Sequence, residues 1–211
     1  VHARMGNLKE AIRQLKFAIE ADPTNQNFRL QLVQIYQSNN DSTNARRLLE
    51  QSAAEFPEQL GWTRLLAQQA MRDKNLPRAV EYMKQILPTA PTPQNVMVLA
   101  QLYLQQEKPA NTLSLMKEYV VLVNQNPRLQ AVRGTALVAQ GQAEAAKQVF
   151  ARALERCQNI NQAEAVSHQM TAAFDPAESL KLASSITQRF DNLYFELLAS
   201  RLQISMNQYS K

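Results

Sequence analysis

Residues Asn25–Glu58 read NQNFRLQLVQIYQSNNDSTNARRLLEQSAAEFPE, which is two helical patterns joined by a polar turn. In the first half, large apolar residues recur at the spacing of one helix face: Phe28, Leu32, Ile35 and Tyr36. The second half has another such face, made by Ala45, Leu48, Leu49, Ser52 and Ala53. The segment between them has residue types that end one helix and cap the next. Because neither helix can bury its apolar face alone, the stretch predicts neighbouring copies of the same unit.

Those copies are visible as sets of residues that recur 34 apart. The sets are Pro23, Pro57 and Pro91; Ala11, Ala45 and Ala79; and Leu15, Leu49 and Met83. The spacing slips to 33 at Thr112 and Met116 and then recovers. A small residue, a large residue and a terminal proline at this period resemble the tetratricopeptide repeat (TPR), a helix-turn-helix unit. The resemblance implies an all-α fold, a right-handed α-solenoid of stacked TPR-like repeats.

We predict one continuous solenoid over residues 1–211. Its parts are a half repeat at 1–24, repeats at about 25–58, 59–92, 93–126, 127–159 and 160–191, and a terminal helix at 192–208. The predicted helices are 8–21 after a turn at Gly6, 26–38 with 42–55, 60–73 with 77–88, 93–106 with 109–124, 127–140 with 142–157, and 160–173 with 176–190. The chain opens inside a repeat and at Val1 rather than Met, so we expect a fragment of a longer protein.

Small residues and capping residues support this assignment of helices and repeats. We expect close helix crossings where the first helix of a pair carries a small residue, at Ala67, Ala100, Gly134 and Ala199. Val33 departs from that pattern and should widen its crossing. Capping side chains precede prolines at Thr92, Asn126 and Asp175, where a proline in the first helical turn loses no hydrogen bond.

Composition narrows the class of protein. The net charge of +5 and the pI of about 9.4 come without any run of Lys or Arg, which argues against nucleic acid as the partner. No apolar run reaches the roughly 18–20 residues of a membrane span. The single cysteine, Cys157, cannot form an internal disulfide and is interpreted as a small core residue rather than a nucleophile. These features suit the cytoplasm or the bacterial periplasm and envelope.

The sequence carries no recognisable catalytic or metal-binding motif. His2 and His168 stand far apart without HExxH or CxxC spacing, and four glycines leave little material for a phosphate-binding loop. We therefore predict that the chain is not an enzyme and needs no cofactor or metal.

The family resemblance implies that the first helices of the repeats line a concave binding face. The residues predicted to contact a partner there are Gln34, Gln37, Arg64, Gln68, Arg72, Gln101 and Gln105. A glutamine amide both donates and accepts, so it can pair with the backbone of an extended peptide without reading its side chains. The alternative is chance alignment, because 25 of the 211 residues are glutamine. Leu30, Arg64 and Met97 stand where a Lys/Asn clamp for acidic chaperone tails would begin, so that clamp is not expected.

We predict a non-catalytic scaffold that binds a partner peptide or protein. The Ala-, Gln- and Leu-rich style resembles bacterial repeat proteins, which implies envelope, secretion, polysaccharide or pilus assembly. One alternative is the substrate-presenting arm of a larger enzyme such as a glycosyltransferase. Another is RNA binding by pentatricopeptide-like repeats, whose period of about 35 fits less well. The terminal helix is apolar nearly all round, with Leu193, Leu197 and Ile204 outside its packing face, which predicts cover by a further repeat or self-association.

Overall fold

The computed structural model describes residues 2–187, and this part of the chain is built from α-helices without strands. The helices are α1 (His2–Ala21), α2 (Gln26–Ser38), α3 (Ser42–Glu55), α4 (Leu60–Arg72), α5 (Leu76–Ile86), α6 (Pro93–Gln105), α7 (Pro109–Glu118), α8 (Val120–Gln125), α9 (Pro127–Ala139), α10 (Ala143–Glu155), α11 (Ile160–Ala173) and α12 (Pro176–Thr187). The all-α fold of TPR-like helix pairs is confirmed. The chain forms two compact units, Val1–Thr89 and Ala90–Lys211. The continuous solenoid over residues 1–211 stays a prediction. The terminal helix predicted at 192–208, which includes Ala199, lies outside the described residues.

The predicted helix pairs are confirmed to within a few residues, with two exceptions. The first is the turn expected at Gly6, which is wrong because α1 runs unbroken from His2 to Ala21. A glycine inside a helix costs only about 1 kcal/mol relative to alanine, so it can be carried without ending the helix. Spacing from the other repeats placed a turn here, but a glycine alone does not enforce one.

The second exception is the predicted helix 109–124, which breaks at Tyr119 into α7 and α8. The φ and ψ of Tyr119 are −102° and 38°, outside the helical region. Pro127 follows Pro91 by 36 positions, whereas the period of the repeat is 34, so this repeat contains two extra residues. The next two residues, Val120 and Val121, are β-branched, which lowers helix propensity slightly, and they are exposed at 44% and 64%.

The turns inside four helix pairs, α2–α3, α4–α5, α6–α7 and α9–α10, repeat one backbone geometry. Each of these four turns contains a residue with a positive φ of 55–74°, and these residues are spaced by 34, 33 and 34: Asn40, Lys74, Glu107 and Gly141. In the first of them the amide of Asp41 donates to the carbonyl of Tyr36 at 2.8 Å, and the other three turns have the same bond. This is the Schellman arrangement, in which a left-handed residue ends one helix and reverses the chain. Only one of the four positions carries a glycine.

In the first unit, α1, α2, α3 and α4 pack around one apolar cluster. Its largest fully buried members are Leu32 and Leu49, and Ala45 at the α2–α3 crossing is 0% exposed. Arg29 is buried beside this cluster at 4% exposure, where its guanidinium pairs with the Glu55 carboxylate and lies 5.4 Å from the centre of the Phe56 ring. The ion pair offsets part of the cost of burying a charge.

In the second unit, α9, α10 and α11 pack around a cluster centred on Phe150, which is 0% exposed. Gly134 lies in α9 directly against that ring. A Cβ built on Gly134 would stand 2.6 Å from Cε2 of Phe150, well inside contact distance. The small-residue crossing predicted at Gly134 is thus confirmed, and Ala67 and Ala100 are buried at 1% and 0%.

Candidate functional site

The first helices of the second unit, α6, α9 and α11, share an open groove of about 460 Å³. Ten residues line it: Gln101, Leu104, Val132, Thr135, Val138, Ala139, His168, Gln169, Ala172 and Ala173. All three helices start with a capped turn; Asn126, for example, accepts hydrogen bonds from the amides of Arg128 and Leu129. The groove therefore lies on three helices whose starting points are set by their caps.

Two rows of residues cross the groove, each with one member per helix. The polar row is Gln101, Thr135 and Gln169, and the apolar row is Leu104, Val138 and Ala172. Members of a row are 34 residues apart, so they occupy the same position in successive repeats. Within each helix the two rows are three residues apart, which places them on one face. Because of the repeat, residues that are 34 apart in the sequence form two parallel rows of side chains across the groove.

The polar row retains unused hydrogen-bonding capacity. The Thr135 hydroxyl donates to the carbonyl of Ala131 at 3.2 Å and lies 3.5 Å from Oε1 of Gln169. Among the described residues, the side-chain amide of Gln101 has no hydrogen-bond partner, and the Gln169 amide nitrogen donates to none. An amide has two donors and an accepting oxygen, so both groups can bind a ligand backbone.

The groove carries no Asp, Glu, Lys or Arg among its ten lining residues. His168 is the one titratable side chain there, and it is exposed on α11. A charged group buried in such a groove would lose its hydration without gaining a counter-charge.

The predicted contact residues fall in both units. Gln101 lines the groove of the second unit, and Gln105 lies one turn further along α6, exposed but outside the groove lining. Of the residues predicted in the first unit, Gln34 on α2 and Arg64, Gln68 and Arg72 on α4 are exposed.

Gln37 is part of a polar network between α2 and α4. Its amide nitrogen donates to Oε1 of Gln69 at 2.9 Å, and Gln69 in turn donates to Asp73 at 2.9 Å and to Ser42 at 3.3 Å. Gln69 is 3% exposed, and the three side chains that it contacts are half-buried. Its hydrogen bonds join consecutive repeats of the first unit.

Sequence reasoning missed Thr135 and Gln169, although a signal was available. Gln169 lies 68 residues after Gln101, which is two periods of 34, and Thr135 lies halfway between them. Sequence reasoning also left out the apolar row, because a partly exposed valine or alanine on a helix is unremarkable until its neighbours across the groove are known.

Within residues 2–187 no group of three or more His, Cys, Asp or Glu side chains is placed to hold a metal ion. In the same part of the chain, none of the helices combines the length and the apolar character needed to cross a bilayer. Cys157 is buried, and its sulfur lies 3.2 Å from the carbonyl oxygen of Ala153 in the core of the second unit.

Repeated antiparallel helix pairs with a groove on their first helices define a helical-repeat protein. Residues 2–68 and 127–160 match two family models, each described as a tetratricopeptide repeat. The chain belongs to the tetratricopeptide repeat family and is a protein–protein interaction scaffold. Among curated proteins, none matches the sequence.

Solved structures share the fold. MamA is 17% identical, with 73% of this chain and 85% of that chain covered and a TM-score of 0.57. TTC0263, a thermophilic TPR protein in Thermus thermophilus, is 16% identical over 85% and 99% of the two chains, with a TM-score of 0.53. YrrB, a TPR protein with an unusual peptide-binding site, is 13% identical over 89% and 97%, with a TM-score of 0.55.

Proposed function

We propose that this scaffold binds an extended segment of a partner protein along the open face of its first helices. The observation that carries the proposal is the polar row of the groove, in which the exposed amide of Gln101 and the half-buried amide of Gln169 flank Thr135. An extended segment has unpaired N–H and C=O groups that need partners when water is excluded. The amides of the polar row supply both a donor and an acceptor at each end of the groove.

The size of the groove supports a short peptide segment. Packed helix axes lie about 8–10 Å apart, so three helices span roughly 16–20 Å between the outer axes. Extended chain rises about 3.3 Å per residue, so roughly five or six residues cross this distance. The groove volume of about 460 Å³ lies in the ordinary range for a binding cleft.

In the first unit, Gln34 and Gln68 occupy the repeat position equivalent to Gln101. We propose that they extend the same mode of backbone binding on that unit, with Arg64 and Arg72 adding positive charge beside them. A Gln68→Ala substitution should weaken partner binding by about 0.5–1.5 kcal/mol without loss of fold. An Arg64→Ala substitution should weaken binding of an acidic partner more, and added salt should shrink its effect.

The test is selection of linear peptides from a displayed library on the whole chain, followed by anisotropy measurements with the enriched peptides. Gln101→Ala and Gln169→Ala should each raise the Kd roughly twofold to tenfold, the effect of one hydrogen bond. The control is Gln148→Ala, which removes an exposed amide from α10, outside the groove. A selection that enriches no peptide, or peptides that ignore both groove variants, would refute the proposal.

The cellular process in which the scaffold acts stays a prediction. The resemblance to bacterial repeat proteins favours a place in envelope, secretion, polysaccharide or pilus assembly. The full-length gene separates this from an enzyme arm, because a catalytic domain encoded next to the repeats would favour the arm. Self-association through the terminal helices is tested by light scattering across a dilution series, where a constant molar mass would contradict it.

A further inference from the structure

The groove on α6, α9 and α11 has a second row of residues that the proposed backbone binding does not use. We propose that this apolar row, Leu104, Val138 and Ala172, selects the partner: it accepts uncharged apolar side chains at alternate positions of the bound segment and rejects charged ones. This inference rests on the proposed function and adds the side-chain chemistry of the ligand.

The alternation follows from the geometry of an extended chain. Successive side chains of a β-strand point to opposite sides, so a segment lying along the polar row turns every second side chain toward the same wall. The apolar row forms that wall, three residues away on each helix. A helical ligand would satisfy its own backbone and leave the amides of Gln101 and Gln169 unpaired, which argues for an extended one.

Rejection of charge follows from the lining. An ionised side chain placed over the apolar row would lose water contacts and find no Asp, Glu, Lys or Arg among the groove residues to replace them. An apolar side chain gains from the same loss of water, because its transfer out of water is favourable. The apolar row is also held in place by the core of the second unit, since Val138 packs against the buried cluster that contains Phe150.

The apolar row also predicts where the largest side chain binds. Its members become smaller along the array, from leucine on α6 through valine on α9 to alanine on α11. Ala173 beside Ala172 leaves further room at the α11 end. The bulkiest apolar residue of the ligand should therefore lie over Ala172, with smaller ones toward Leu104.

The test uses the same displayed library and reads the composition of the enriched peptides. Wild-type chain should enrich uncharged peptides with apolar residues at every second position. Reselection on Ala172→Glu should return Lys or Arg at one of those positions, and the wild-type peptides should bind this variant roughly tenfold or more weakly. The matched control is Ala145→Glu, an exposed alanine on α10 outside the groove, which should select the wild-type peptides.

A neutral second variant, Ala172→Leu, fills the α11 end and should favour peptides with a smaller residue there, so the test does not depend on an added charge. Circular dichroism checks that each variant folds. Enriched peptides rich in Asp, Glu, Lys or Arg, or an unchanged selection on both Ala172 variants, would overturn this inference while leaving backbone binding standing. A selection that enriches nothing would instead overturn the proposed function and this inference together.

Discussion

A Gly134→Ala substitution should destabilise the second unit, although the same change stabilises most helices. Alanine is better than glycine in a helix interior by about 0.8–1 kcal/mol. Against this, the added Cβ would lie 2.6 Å from Cε2 and 2.9 Å from Cδ2 and Cζ of Phe150. Phe150 is 0% exposed and meets Phe174 edge-to-face, with ring centres 5.7 Å apart, so its ring has little room to move.

Overpacking a core by one methyl group typically costs about 1–3 kcal/mol. Subtracting the gain in helix propensity leaves a net loss of roughly 0–2 kcal/mol. Urea unfolding followed by circular dichroism measures it. The control is Gly61→Ala, because Gly61 lies in α4 with no atom within 4 Å of an added Cβ. That change should stabilise by up to about 1 kcal/mol.

A double mutant separates the clash from other effects. In a Phe150→Leu background the ring is gone, so Gly134→Ala should become stabilising and the two changes should be non-additive by about 1 kcal/mol or more. If Gly134→Ala stabilises the parent chain as much as Gly61→Ala does, α9 and α10 do not approach as closely as the contact of Gly134 with Phe150 requires.

Four further predictions concern the repeats themselves. Lys74→Gly should stabilise by about 1 kcal/mol, because Lys74 has a φ of 55° that glycine adopts without strain; an unchanged melting temperature would contradict it. Gln69→Ala should cost about 1–2 kcal/mol, because it removes the buried amide that hydrogen-bonds the half-buried side chains of Gln37 and Asp73. In the same urea titration, substitution of the exposed neighbour, Gln68→Ala, should change stability by less than about 0.5 kcal/mol. Asp41 caps α3, and the hydrogen bonds that it accepts from the side chain and backbone of Asn44 hold its pKa below the ordinary 3.8. The stability that the ionised Asp41 confers is therefore present above pH 3.8 and lost as the pH falls through the lowered pKa. Asp41→Asn should keep the cap and flatten this acid dependence in thermal melts. Ala45→Trp should unfold the repeats around it, seen as lost helicity, because Ala45 is 0% exposed at a helix crossing and each repeat is held by its neighbours.

Much of the architecture could be read from the sequence, because the signals that set it are local and repeated. An Asn, Asp or Thr before a helix caps it through its own side chain, and the prolines follow directly, as at Asn126 and Pro127. The alanines and large apolar residues recur with the repeat, which identifies the family. The bounds of most helices followed from these features alone.

Where local signals conflict, only the structure shows which of them prevails. Gly6 has the same repeat position as Asn40, yet the chain turns at Asn40 and stays helical through Gly6. The two extra residues after Pro91 had to be absorbed somewhere, and only the structure places the break at Tyr119. Periodicity predicts that such elements exist but not how the chain accommodates a departure from the period.

The candidate site also depends partly on the sequence period and partly on tertiary structure. The repeat period determined which residues are equivalent, and it led to Gln101 as a surface glutamine on a first helix. Only tertiary structure decided that Gln101 lies in a groove with Gln169, that Gln37 is instead hydrogen-bonded to Gln69, and that an apolar row runs beside the polar one. The physical reason is that a groove is a property of neighbouring helices. Its depth and chemistry depend on which side chains from separate repeats meet, and no single helix encodes that.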